Sequence, residues 1–142
     1  MPAEAPGEPG RSVNLLLFDR EGRVFLQFRD GSTGTEPLRW GFWGGRIDAA
    51  DADPHAAAVR ECREELGLSL ARDQFALLHQ REGGDGQQSF LLRCLPPIGW
   101  NSVTVNEGAG AGFFHPAELA ALTLHKRARY YLETRPEVFG SA

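Results

Sequence analysis

The chain predicts a mixed α+β domain, a mixed β-sheet sandwiched between α-helices. Three observations carry that expectation. Short apolar runs with strand character occupy the first third, one strong helical segment follows, and further strand-like runs then lead into closing helical segments. The resulting order is β–β–β–α–β–β–β–α.

Residues 1–10 (MPAEAPGEPG) are rich in Pro, Gly and Glu and lack apolar periodicity, so they read as a flexible tail ahead of one domain over 11–142. Ser12 to Phe18 and Val24 to Arg29 are apolar runs joined by Asp19-Arg20-Glu21-Gly22, the pattern of a hairpin. Residues 30–38 form a loop by composition, and Trp40 to Gly45 is a short aromatic, glycine-rich stretch. The spacing then predicts a helix over Pro54 to Leu66. Asp53 is a good N-cap, Pro54 suits the first helical position, and Gly67 supplies the stop. Phe75 to His79, Ser89 to Leu95, Val103 to Val105 and Gly112 to His115 are strand candidates, the first two flanking a Gly83–Gly86 turn. Pro116 to Leu122 and Lys126 to Thr134 read as closing helices.

Composition narrows the function classes. Of 142 residues, 42% are hydrophobic and 24% charged, an ordinary globular balance for one core. Without a signal-peptide pattern or a long apolar run, the expected address is the cytoplasm and no membrane partner is expected. The net charge of −4 gives no general attraction for a nucleic acid polymer. An anionic substrate would therefore need local help, and a divalent cation supplies it. Cys62 and Cys94 fit neither a disulfide framework nor a zinc pattern and read as core residues. His55, His79, His115 and His125 show no ligand spacing and read as packing or surface residues. Trp40, Trp43 and Trp100 read as core, with base stacking as the alternative for one of them.

The segment Arg60-Glu61-Cys62-Arg63-Glu64-Glu65-Leu66-Gly67-Leu68 carries the chemistry. At about 100° per residue, Glu61, Glu64 and Glu65 share one helix face roughly 100° wide, beside an apolar stripe of Val59, Cys62 and Leu66. Glu61 and Glu65, like charges at i,i+4, cost the helix a few tenths of a kcal/mol unless something offsets them. Such a face is either solvated and neutralised by Arg60 and Arg63, or it holds a hard cation through its oxygens. Upstream, Trp43-Gly44-Gly45-Arg46 is a tight glycine turn that allows close backbone approach.

These residues together resemble the Nudix box: Gly, five residues, Glu, seven residues, then Arg-Glu-U-x-Glu-Glu-x-Gly-U, where U is aliphatic. Arg60 to Leu68 follows the second half, with Cys62 at the aliphatic position. Gly45 and Asp51 follow the first half, with Asp in place of Glu. Eight residues, one more than the pattern, separate Asp51 from Arg60. Trp43 stands where the family often has proline. The resemblance continues through Asn106-Glu107-Gly108, Gly112-Phe113-Phe114 and Pro116-Ala117-Glu118-Leu119 and covers roughly residues 12–135.

The resemblance implies the Nudix fold and hydrolysis of a diphosphate linkage in a nucleoside diphosphate attached to another moiety, or in a related nucleotide. It implies Mg²⁺ as cofactor, with Mn²⁺ as a substitute. Glu64 and Glu65 match the metal-binding pair, and Glu61 a ligand or general base. Glu107 matches a loop glutamate of either role, and Gly44 a glycine whose carbonyl can join the metal. Arg60 is expected to assist catalysis by fixing a carboxylate through bidentate hydrogen bonds. Arg29 and Arg46 are candidate phosphate contacts, set against a solvated-rim reading. Asp48 and Asp51 read first as turn and cap acids. The expected partner is a small nucleotide or diphosphate substrate, and the family often forms homodimers. A binding module that has lost turnover is the main rival, and the complete set of box carboxylates weighs against it. Subgroup cues for ADP-ribose or dinucleoside polyphosphate substrates are absent, since Gly83, Gly84, Asp85 and Gly86 occupy that region.

Overall fold

The structure is a computed structural model that describes residues 10–30 and 37–140. Most of the expected tail and the centre of the expected 30–38 loop lie outside those residues. Gly10, placed in the tail, is buried, and its carbonyl accepts from the Gln88 amide at 3.0 Å.

Among the described residues, seven strands form two sheets: β1 (Arg11–Leu16), β2 (Val24–Phe28), β3 (Trp40–Gly41), β4 (Trp43–Arg46), β5 (Phe75–Glu82), β6 (Gln88–Cys94) and β7 (Gly110–Phe114). One sheet runs β4-β1-β6-β5 and the other β3-β2-β7. The first is mixed, because β1 pairs parallel with β6 and antiparallel with β4. Helix α1 (Pro54–Leu66) packs on one side, and α2 (Lys126–Thr134) contributes to the apolar cluster on the other.

β1 explains this layering. Val13 and Leu15 point into the cluster beneath α1, while Leu16 joins the cluster with Leu26, Leu91 and Tyr131 beneath α2. A strand buried on both faces reads as a continuous apolar run rather than an alternating one. Asn14 interrupts that run and is only 5% exposed.

The hairpin expected from Ser12 to Arg29 forms only at its turn. Phe18 bridges Val24, and the Phe25 amide donates to the Leu17 carbonyl at 2.8 Å. Beyond that point the strands part, because β1 pairs in the first sheet and β2 with β3 and β7 in the second. Val103 to Val105, expected as a strand, is irregular chain. Its backbone is used at the end of α1: Thr104 N–H donates to the Leu66 carbonyl at 2.8 Å and Asn106 N–H to the Glu65 carbonyl at 2.9 Å. Helix ends leave such carbonyls without partners, so this loop serves as a cap. Pro116–Ala121 is a 3-10 turn.

Both cysteines are buried, and burial pushes the Cys62 thiol up to about 12 and the Cys94 thiol to about 11, as expected of inert core residues. Trp43 is fully buried and stacks on Phe25. Trp100 departs from the core reading: it is 57% exposed and sets its edge against Phe25 and Phe113. His79 meets the Tyr131 hydroxyl at 2.9 Å, and His125 caps α2 by accepting from Arg127 N–H. No helix of the described residues is long and apolar enough to cross a membrane.

Candidate active site

The site begins with how α1 is held. Asp53 accepts from Ala56 N–H at 2.9 Å, and Gly67 ends the helix in a left-handed conformation, φ 67°. The helix buries Ala57, Ala58, Cys62 and Leu66 on the sheet, and with them Glu61 and Glu65. The acidic face is therefore divided. Glu65 is 4% exposed and Glu61 8%, whereas the Glu64 side chain is 58% exposed.

Glu61 and Glu65 hydrogen-bond each other through their carboxyls, and Gly44 N–H donates to Glu65 at 3.2 Å. Burial, together with the Glu61 hydrogen bond, pushes the Glu65 carboxyl up to about 9, so it keeps a proton that Glu61 accepts. Burial also raises Glu61, and the charges of Glu64 and Glu107 raise it further. Three carboxyls, those of Glu64, Glu65 and Glu107, thus stand within electrostatic reach of Glu61. Among the described residues, no three carboxylate, histidine or cysteine side chains already converge as the ligands of a metal would. Glu64 instead accepts from Arg60 Nη1 at 3.2 Å.

The donor chemistry nevertheless fits a hard divalent cation. Two buried acids share a proton because burial penalises a second charge there and the one cation beside them, Arg60, lies 3.8 Å from Glu61; carboxylate oxygens are also the ligands Mg²⁺ takes. Glu107 lies beside Asn106, whose side chain donates to the Glu64 carbonyl at 3.2 Å. Residues far apart in the chain are thereby tied to the carboxyl pair.

Arg60 organises the approach to this cluster. Its guanidinium donates to Asp51 through Nε and through Nη2, the latter at 2.9 Å, and to the Arg46 carbonyl at 2.9 Å. These bonds, foremost the one from Arg60, hold the Asp51 carboxyl below the usual range. Asp51 also accepts from Asp48 N–H at 2.8 Å. The extra residue before α1 is absorbed in the turn, and Asp51 still reaches Arg60. The expectation of a turn acid describes Asp51.

The glycine turn is required twice, for different reasons. Gly44 has φ 131°, and a Cβ there would land on the Val13 carbonyl oxygen. A Cβ on Gly45 would land on the Glu61 carboxylate. Gly44→Ala is expected to lower stability by roughly 3 kcal/mol or more, since strain and a backbone clash add. Gly45→Ala should unfold far less readily, because a side-chain end can move, yet it should lose activity as Glu61 is displaced. Thermal unfolding and turnover measured on both variants check the contrast, and equal losses of stability would contradict it.

Arg29 and Arg46 both line a cleft of about 220 Å³ that opens beside Gly44 and Gly45. The same cleft is lined by two residues the sequence did not single out, Asn14 and Arg127. Asn14 was hidden inside an apolar strand, where a lone polar side chain was the available signal. Arg127 sits at the start of α2, which periodicity marks only as a closing helix.

A family model described as NUDIX domain matches residues 8–134. The chain belongs to the Nudix family. A CTP pyrophosphohydrolase of Escherichia coli K12 is 35% identical over 70 residues, 49% of this chain and 50% of that protein. An uncharacterized Nudix hydrolase of Streptomyces coelicolor is 33% identical over 82% of this chain and 66% of its own length. The Nudix chain thus spans half of the first relative and just under two thirds of the second. Among solved structures, the MutT protein from Methanosarcina mazei superposes with a TM-score of 0.72 at 18% identity, over 93% of this chain and 94% of that one. That likeness shows the α+β Nudix fold, with helices, one mixed sheet and one antiparallel sheet as described above.

Proposed function

We propose that this Nudix chain is a hydrolase that cuts a phosphoric anhydride linkage in a small nucleotide-like diphosphate, with Mg²⁺ as cofactor and Mn²⁺ as its substitute. The observation that carries the reading is the buried Glu61–Glu65 pair beside the Gly44–Gly45 turn, with Glu64 and Glu107 adding negative charge around it. Buried like-charged acids are costly unless a function needs them. The bond class agrees with the name of the Escherichia coli relative.

Glu61, Glu64 and Glu65 would hold the ion, joined by Glu107 and the Gly44 backbone. Bound there, a divalent ion neutralises diphosphate charge and lowers the pKa of attacking water. Glu61 would serve either as one of those ligands or as the base for the attacking water. Arg60 holds Asp51 and the Arg46 carbonyl and so fixes the loop against α1, a positioning role. Arg29 and Arg46 would meet the substrate phosphates in the cleft beside the turn. Substrates of this size and an acidic surface suit a cytoplasmic enzyme with no polymer partner.

The test is release of phosphate or pyrophosphate from a nucleotide panel. Turnover should require Mg²⁺ or Mn²⁺ and stop with EDTA. No release from any member with either ion would overturn the reading.

A further inference from the structure

The cleft beside the glycine turn has an unusual electrostatic character for a chain of net charge −4. Arg11, Arg29, Arg46 and Arg127 all line it, and no carboxylate stands among its described lining residues. Two buried donors there lack a hydrogen-bond partner: Asn14 Nδ2 and Arg29 Nε. Buried polar groups are nearly always satisfied in native proteins, and exceptions ask for a missing partner. Both atoms are donors, so the missing partner is an acceptor. Arg127 is exposed at the cleft mouth, where partial desolvation by the cleft wall and the nearby charges of Arg29 and Arg81 lower its pKa. An anion offsets all three strains together.

Size and lining select the kind of anion. At about 220 Å³ the cleft falls below the roughly 300–1,000 Å³ that encloses a whole drug-sized ligand. Phe42 is the one aromatic among its described lining residues and is itself buried, so those residues offer no stacking face for a base. Guanidinium groups match phosphate oxygens. Ser12, Gln87 and Arg127 also line a neighbouring cavity of about 650 Å³, so the cleft leads on to space for a larger moiety.

We infer that Asn14, Arg29 and Arg127 bind a further phosphate of the substrate, beyond the linkage that is cut, which makes nucleoside triphosphates and longer polyphosphates the favoured class over nucleotide sugars. The inference rests on the hydrolase reading for its substrate class, but the cleft can be tested without turnover. Inorganic tripolyphosphate titrated calorimetrically into the metal-free protein in EDTA should bind. Asn14→Leu and Arg127→Gln should each weaken binding by about tenfold or more. Arg20→Gln, an exposed turn residue, should leave it unchanged. Asn14→Leu should also leave the melting temperature equal or higher, since it removes an unpaired buried amide. A residue with a merely structural role would lower it.

In turnover assays, Arg127→Gln should narrow the preference for a triphosphate over a nucleotide sugar at least tenfold. Absence of tripolyphosphate binding by the wild-type protein, or equal weakening by Arg20→Gln, would overturn the inference. Tripolyphosphate binding with no hydrolysis of any nucleotide would instead remove the hydrolase reading and the substrate preference drawn from it, and keep the anion cleft.

Discussion

Glu64→Gln is expected to lower kcat on the order of 10²-fold or more while leaving the melting temperature within a degree or two of wild type. The structure separates these two effects. The Glu64 side chain is more than half exposed and contributes no core packing, and Arg60 Nη1 donates to it at 3.2 Å. Exposed ion pairs of this kind contribute about 0–1 kcal/mol, so stability barely registers the change. The substitution keeps shape and removes charge, which is what an ion would feel. Arg63→Gln, one position earlier and exposed on the opposite flank, is the control and should change neither quantity. Steady-state kinetics with saturating Mg²⁺ separate the cases. Equal losses at positions 63 and 64 would mean that the acidic face has been assigned to the wrong side of the helix.

How much of this was legible before any coordinates follows from the range of each signal. The bounds of α1 were readable to the residue because Asp53, Pro54 and Gly67 are local stop and start signals that act on their own backbone. Neither parting of the first two strands nor the capping loop at Thr104 and Asn106 was readable, since both depend on partners distant in the chain. The wheel placed Glu61, Glu64 and Glu65 on one face but not at one depth. Only the sheet behind the helix decides that Glu61 and Glu65 sink while Glu64 stays in water. That Arg60 fixes a carboxylate was foreseen as chemistry, but not that the carboxylate is the one on Asp51, which the turn at Asp48 brings to it. Asn14 was passed over because an apolar strand tolerates one polar residue without altering its pattern. Its meaning appears only where Arg29 and Arg127 come to face the same cleft.

The proton shared by Glu61 and Glu65 links metal, pH and stability in a second expected result. Burial raises the folded-state Glu65 value to about 9, above the ordinary 4.5. A raised carboxyl contributes stability fully below the unfolded value and loses it as pH rises through the folded one. The metal-free protein should therefore lose stability between pH 6 and pH 9, by at most about 4 kcal/mol at 1.36 kcal/mol per unit. That corresponds to roughly 10 °C in melting temperature. A cation at the site competes with this proton, so binding releases it and gains strength as pH rises. Melting curves in EDTA should accordingly fall with pH, while those with Mg²⁺ fall less, and the gap should be widest near pH 9. Glu65→Gln mimics the protonated acid. It should flatten the EDTA curve and close most of the gap, because the amide neither titrates nor supplies an anionic ligand. An unchanged slope in Glu65→Gln would place the titrating group elsewhere and separate the buried pair from the metal.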